Sequence, residues 1–257
     1  MKKLNNIHFI FDDTIKNLKL KKLIFKKYKN FSPRSSNVIV VFGGDGFMLH
    51  TLKRYKKYNK PFYGINTGTF GFLMNRYKNL NIKKSISKAK LVSISPLEMK
   101  AITKTKKIFS SIAINEVSLL RQSRQTASLQ IISGNKILIK KLICDGVLVC
   151  TPAGSTAYNL SVHGPILSLN SKKLAVTPIS PFRPRRWKGK IISASTTVKI
   201  KNLNIKKRPV SVVADNIEVR NIKYVKVKIN PSIKFKLLYD INNNLSKKIK
   251  LERFKKR

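Results

Sequence analysis

Acidic side chains are scarce in this chain of 257 residues: 10 Asp and Glu stand against 55 Lys and Arg, for a formal net charge of +45. Where so few acids remain, those inside motif-rich segments are candidates for a task, and Asp45, Glu116, Asp145, Asp215 and Glu218 are all so placed. Pairing with nearby cations or capping a helix is the alternative use for each. Cysteine is nearly absent. Cys144 and Cys150 share one apolar stretch without CxxC spacing, which excludes a disulfide framework and a zinc site and fits a reducing cytoplasm. The three histidines, His8, His50 and His163, form no ligand-spaced pair, so no metal is expected in a protein cage. No apolar run reaches membrane-spanning length and the N-terminus lacks a signal-peptide core, so neither a membrane nor an export route is expected.

What is abundant is lysine. A basic surface binds phosphate backbones without sequence preference. Here, however, the lysines are spread along the whole chain, and no nucleic-acid module is recognisable. Joint enrichment in Lys, Asn and Ile is what an AT-rich coding sequence produces, so the charge reads as compositional drift without a dedicated nucleic-acid partner. With 42% hydrophobic residues, the chain can bury a core in one large domain or two modest ones.

The texture changes along the chain. Residues 7–11 read as a strand, 14–28 as a basic helix, 37–42 as a buried strand, 47–58 as a helix and 61–65 as a strand. This alternation implies a parallel α/β sheet that binds ligands at the carboxyl ends of its strands. From about residue 90 short runs of Val, Ile, Leu, Thr and Ser take over. Ser133-Gly134-Asn135-Lys136 is the clearest hairpin turn between them, and one helical segment, about 154–162, interrupts the pattern. The expected architecture is α/β plus all-β. An N-terminal parallel α/β domain spans 1–95, with the polar tail 241–257 a candidate to return to it. A mainly β, sandwich-like domain spans 96–240.

Three segments carry chemistry. Gly43-Gly44-Asp45-Gly46 follows the apolar run 38–42 and precedes a helix, a geometry that presents backbone N–H groups to phosphate at a positive dipole end. Glycines 43 and 44 permit positive φ and close ligand approach, and Asp45 is either functional or an N-cap. The loop is neither a Walker loop nor a GxGxxG fingerprint. Asn115-Glu116, at a strand end, offers an amide and a carboxylate to a ribose diol or a base edge, unless it is only a polar strand exit. Most specific is Asp145 to Pro165, where Thr151, Ser155, Thr156, Tyr158 and Ser161 gather hydroxyls around Gly154. So many short polar groups after a buried strand suggest a ligand-binding purpose.

Together with Asn66-Thr67-Gly68…Gly71-Phe72-Leu73, these motifs resemble, in order and over nearly the whole chain, the NAD kinases. Pro178-Ile179-Ser180-Pro181-Phe182-Arg183-Pro184-Arg185-Arg186-Trp187 resembles their short bacterial branch. Gly-Gly-Asp-Gly alone is shared with lipid kinases and phosphofructokinases, and no convincing amphipathic helix supports a lipid kinase. The Thr-Pro-Ala-Gly-Ser-Thr-Ala-Tyr stretch decides for NAD kinases. The resemblance implies transfer of the ATP γ-phosphoryl group to the 2′-hydroxyl of the adenosine ribose of NAD, giving NADP and ADP. It implies Asp45 as the general base, with Gly43, Gly44 and Gly46 as the phosphate loop. Contacts to NAD, the substrate, are implied for Asp45, Gly46, His50, one helical turn further on, and Phe72. They are implied also for Asn115, Glu116, Asp145, Ala153, Thr156, Ala157, Tyr158, Asn159, Leu160, Ser161 and Asn216. The resemblance implies that Asp145 meets the second half of the dinucleotide, a contact that it allows to cross a subunit interface. Asp215-Asn216 departs from the family's Asp-Gly. The resemblance further implies Mg²⁺ delivered with ATP, a homo-oligomer (dimer or tetramer) and a cytoplasmic enzyme.

Overall fold

The structure, a computed structural model, describes residues 6–69, 71–77 and 81–241. The chain divides into two compact units, one of residues 1–94 with 234–257 and one of residues 95–233.

In the first unit, β1 (Ile7–Phe11), β2 (Val38–Gly43), β3 (Pro61–Asn66), β4 (Asn75–Arg76) and β5 (Lys90–Ile94) alternate with α1 (Ile15–Lys27), α2 (Asp45–Tyr55) and α3 (Ile82–Lys88). Strand β2 is buried along its whole length because both its faces are covered. Val38, Val40 and Phe42 pack with Ile24 of α1 and with Ile82 and Ile86 of α3. Alternate residues face the other way, where a side chain at Gly64 of β3 would run into Met48 of α2 and Met74. The sheet order is β1-β2-β3-β18-β5, with β4 also against β3, and β18 is Phe235–Tyr239.

Two expectations change here. Strand β18 lies parallel to β3 and antiparallel to β5, so the sheet is mixed rather than wholly parallel. Residues 235–239 thereby belong to the α/β sheet instead of the β domain. Their alternating burial is what any half-covered strand would show, so local pattern cannot assign them to a sheet. Of the tail 241–257, all beyond Ile241 lies outside the described residues.

The second unit holds two antiparallel sheets. One runs β10 (Lys136–Cys144), β9 (Ala127–Ser133), β14 (Val198–Asn202), β17 (Ile222–Ile229), β6 (Leu97–Thr103) and β7 (Ile108–Ala113). The other runs β13 (Lys190–Ser193), β12 (Lys173–Ile179), β11 (Gly146–Cys150), β8 (Glu116–Arg121), β15 (Val210–Ala214) and β16 (Ile217–Val219). Residues two apart on both sheets share one core: Val117 and Leu119, Leu129 and Ile131, Val147 and Val149, Val198 and Ile200, Val225 and Val227. This is the expected sandwich. Strand β11 is buried on both faces, because Leu148 and Cys150 point outward under Leu167, Tyr158 and Val162 from the segment that follows it. That segment is a 3-10 turn (Gly154–Thr156) and a four-residue helix, α4 (Tyr158–Ser161).

Candidate functional site

In the first unit the carboxyl ends of β1, β2 and β3 carry polar groups. Gly44 is the N-cap of α2 and Asp45 its first residue, so Asp45 is not the cap itself. Its carboxylate reaches back to the β3 loop, where Oδ2 accepts from the Phe72 N–H at 2.7 Å and Oδ1 from the Leu73 N–H at 3.0 Å. Thr67 N–H closes the gap by donating to the Gly43 carbonyl at 3.1 Å. A side chain at Gly71 would meet Asp45 Oδ1 at 2.9 Å, so glycine there admits the carboxylate. Phe70, in the same loop, lies outside the described residues.

The loop glycines serve space rather than backbone conformation. Gly44 has φ −105, and among the described glycines only Gly134 and Gly189 have positive φ. A Cβ at Gly43 would strike the Phe47 ring at 2.7 Å, whereas Cβ atoms at Gly44 and Gly46 would point into open space. Those two positions leave α2's first N–H groups approachable, as an anion needs. His50 stands exposed on α2, five residues and about one and a half turns after Asp45 rather than one turn.

Sequence reading missed a second cluster. The Asn17 amide, fully buried on α1, donates to Asp12 Oδ1 after β1 and to Thr67 Oγ1 after β3 at 2.8 Å. Lys16 Nζ donates to the Thr67 carbonyl at 2.7 Å, tying the same ends together. Burial raises the Asp12 pKa, but hydrogen bonds from Thr14 and Asn17 outweigh it and the net shift is downward. The available signal was Asp12-Asp13 at the end of a strand in an acid-poor chain.

In the second unit the edge of interest is the turn from β7 into β8. Asn115 and Glu116 are half-buried there, and Asn115 Oδ1 and Glu116 Oε2 are buried acceptors without a hydrogen-bond partner. An unmet buried acceptor costs about 1–3 kcal/mol, so two on adjacent residues amount to a place prepared for donors. Burial, followed by the nearby Asp215 carboxylate, raises the Glu116 pKa from 4.5 to about 7. Tyr158 faces the same acids: burial, then Glu116 and Asp145, push its hydroxyl pKa up. Asp145 pairs with Arg121 Nε at 2.5 Å.

The hydroxyl-rich segment has a structural motive that the sequence did not reveal. Thr151 Oγ1 donates to the Ile114 carbonyl at 2.7 Å and accepts from Gly154 N–H. Ser155 Oγ donates to the Pro152 carbonyl and accepts from Leu167 N–H, and Thr156 Oγ1 lies 3.4 Å from the Ala153 carbonyl. Asn159 is fully buried, its amide bonded to the carbonyls of Ser155 and Pro165 and to the Thr177 hydroxyl. These side chains, with buried Ala153, hold the loop together. Ala157, Tyr158 and Leu160 are half-buried and Ser161 exposed. Gly154 is the fixed point: a Cβ there would sit 2.1 Å from the Asn115 carbonyl oxygen, so only glycine lets this loop lie on the Asn115 backbone. In the turn from β15 to β16 it is Asp215, with φ +53, that is left-handed. Exposed Asn216 is not, so its own backbone does not require glycine.

Among the described residues no group of three or more His, Cys, Asp or Glu could hold a metal ion, and no helix is long and apolar enough to cross a membrane.

Comparison with known proteins agrees with this geometry. Residues 9–89 match the ATP-NAD kinase N-terminal domain and residues 114–237 the ATP-NAD kinase C-terminal domain. An NAD kinase of Mesorhizobium japonicum is 44% identical over 251 residues, covering 98% of each chain. One of Hyphomonas neptunium is 46% identical over 228 residues, covering 89% of each. Yeast NADH kinase, solved in complex with NADH, shares the fold at a TM-score of 0.78 with 20% identity, over 100% of this chain and 90% of its own. An NAD kinase from Archaeoglobus fulgidus, solved in complex with ATP, does so at 0.76 with 22% identity, over 95% and 98%. The chain belongs to the ATP-NAD kinase family, enzymes that phosphorylate NAD to NADP.

Proposed function

We propose that the chain transfers the γ-phosphoryl group of ATP to the 2′-hydroxyl of the adenosine ribose of NAD, with Asp45 as general base. The observation that carries the NAD side of this reading is the pair of unmet buried acceptors, Asn115 Oδ1 and Glu116 Oε2. A ribose diol supplies two adjacent hydroxyl donors, the complement of such a pair. Tyr158, near enough to Glu116 and Asp145 for their charges to raise its hydroxyl pKa, offers a ring and a hydroxyl to the same ligand.

On the phosphate side, Gly44 and Gly46 leave the start of α2 open, and N–H groups there stabilise negative charge as it develops. Phosphoryl transfer asks the protein mainly for positioning and electrostatics. The Asp45 carboxylate accepts the Phe72 and Leu73 N–H groups and, as general base, takes the hydroxyl proton as the 2′-oxygen attacks phosphorus and ADP leaves. Mg²⁺ belongs to the donor, as the ATP complex.

Two buried free thiols, Cys144 and Cys150, fit a reducing cytoplasm. Assembly into a dimer or tetramer is supported by the sandwich edges. Each edge strand carries an exposed large apolar residue: Ile137 on β10, Ile108 and Phe109 on β7, Ile191 on β13 and Ile217 on β16.

The test combines the purified protein with ATP, Mg²⁺ and NAD and follows NADP with an NADP-specific dehydrogenase, for wild type and Glu116→Ala. Loss of a charge-assisted acceptor should raise KM for NAD by about ten- to a hundredfold and leave KM for ATP near wild type. Absence of NADP would refute the reaction, and an equal rise in both constants would remove Glu116 from the NAD site.

A further inference from the structure

The Asn115-Glu116 edge is held by a residue that no part of the reaction uses directly. Asp215, in the turn between β15 and β16, adopts φ +53, a left-handed conformation that Asp tolerates better than most side chains. Its carboxylate is spent on two successive backbone N–H groups: Oδ2 accepts from Ile114 at 2.8 Å and Oδ1 from Asn115 at 2.9 Å. Its own N–H donates to the Glu116 carbonyl at 3.2 Å. From the other side Thr151 N–H donates to the Asn115 carbonyl at 2.9 Å, and Thr151 Oγ1 donates to the Ile114 carbonyl. Asp215 and Thr151 thus grip three consecutive peptide groups from opposite sides.

We propose that Asp215 is a positioning residue of the dinucleotide site, clamping the Asn115-Glu116 edge so that its two unmet acceptors face the incoming ribose. The inference rests on the reading that this edge receives NAD. Asp215 also acts on Glu116 through charge. The groups that face Glu116 are Asp215 from the β15–β16 turn, Tyr158 from α4 and Cys150 from β11. Burial pushes the Cys150 thiol up to about 12 and raises the Tyr158 hydroxyl, so both are neutral near pH 7. Of the three it is Asp215 that, after burial, raises the Glu116 pKa through charge.

Asp215→Asn separates this role from mere support of the fold. Asparagine also tolerates left-handed φ, but it offers one acceptor to two N–H donors and carries no charge. Steady-state kinetics would be measured for both substrates from pH 5.5 to 9, beside wild type and Glu116→Gln. In Asp215→Asn, KM for NAD should rise about tenfold, as expected for one lost charge-assisted hydrogen bond, with KM for ATP within about twofold of wild type. The pH midpoint of the NAD KM should move to lower pH, and Glu116→Gln should abolish that midpoint. If Glu116→Gln leaves the NAD KM and its pH profile unchanged, the underlying reading fails. If Glu116→Gln changes them but Asp215→Asn moves neither, or moves both KM values equally, the positioning role alone is overturned. Should Asp215→Asn not fold, Asp215→Ser, with a short neutral acceptor, takes its place under the same expectations. Failure of both to fold would make Asp215 a determinant of the fold and refute the proposal.

Discussion

Replacing Glu116 by glutamine should stabilise the protein, and only above a definable pH. Burial and then the Asp215 carboxylate raise the Glu116 pKa from 4.5 to about 7, so the folded state holds a proton that the unfolded chain has released throughout that interval. Where the folded state binds more protons than the unfolded state, stability falls as pH rises. The contribution is fully present below about 4.5 and exhausted above about 7. A shift of this size corresponds to at most about 3.5 kcal/mol, taking roughly 1.4 kcal/mol per pKa unit. Glutamine has nearly the same shape and never ionises. Its stability relative to wild type should therefore be flat at low pH, climb between pH 4.5 and 7, and level off with an advantage of up to about 3.5 kcal/mol. At about 2–4 °C per kcal/mol for a chain of this size, the difference is several degrees in Tm. Thermal melts of both proteins at half-unit pH steps measure it. A bound dinucleotide that donates a hydroxyl to Glu116 Oε2 favours the ionised form and should narrow the gap. Parallel Tm curves across the whole range, or a wild type more stable than Glu116→Gln at pH 8, would refute the reasoning.

Two other expectations follow from packing and charge. Gly154→Ala would place a Cβ 2.1 Å from the Asn115 carbonyl, so it should lower Tm by the equivalent of about 1–3 kcal/mol or more and raise KM for NAD by displacing the same edge; wild-type values for both would show that the loop yields freely. If the +45 charge is compositional, duplex DNA should bind only at about 10⁻⁴–10⁻⁶ M near physiological salt in a fluorescence titration, and nanomolar binding that survives such salt would establish a dedicated nucleic-acid role.

What the sequence disclosed and what it hid divide along local and long-range lines. Strand β1 and the turn at Gly134 are legible because apolar runs and turn residues report on their own neighbourhoods. The glycines around Asp45 are equally local in their placement after a buried strand. Their purpose is not: Gly71 is small because a carboxylate 26 positions earlier in the chain occupies the space, and Gly154 because the Asn115 backbone lies beneath it. Long-range partners also explain why the structural role of the hydroxyls at 151–156 was not legible. Thr151 and Ser155 are bonded to Ile114 and Leu167, residues no periodicity connects to them. Asp12 and Asn17 escaped notice for the same reason, since their link to Thr67 joins three strand ends that only the sheet brings together. Strand β18 shows the limit for topology, because its pairing with β3 spans most of the chain.

Asp45→Asn tests the central claim most directly. Asparagine at the first position of α2 keeps the shape but can accept only one of the two N–H groups of Phe72 and Leu73, so a stability loss of about 1–3 kcal/mol is expected without unfolding. It cannot take a proton, and loss of a general base costs about 10²–10⁴ in rate. The measurement is kcat for NADP formation from ATP and NAD at saturating concentrations, with NAD affinity and Tm determined on the same preparation. A fall in kcat of that size, in a folded variant that still binds NAD, is the predicted result. Turnover near that of wild type would contradict the account and remove Asp45 from the chemistry.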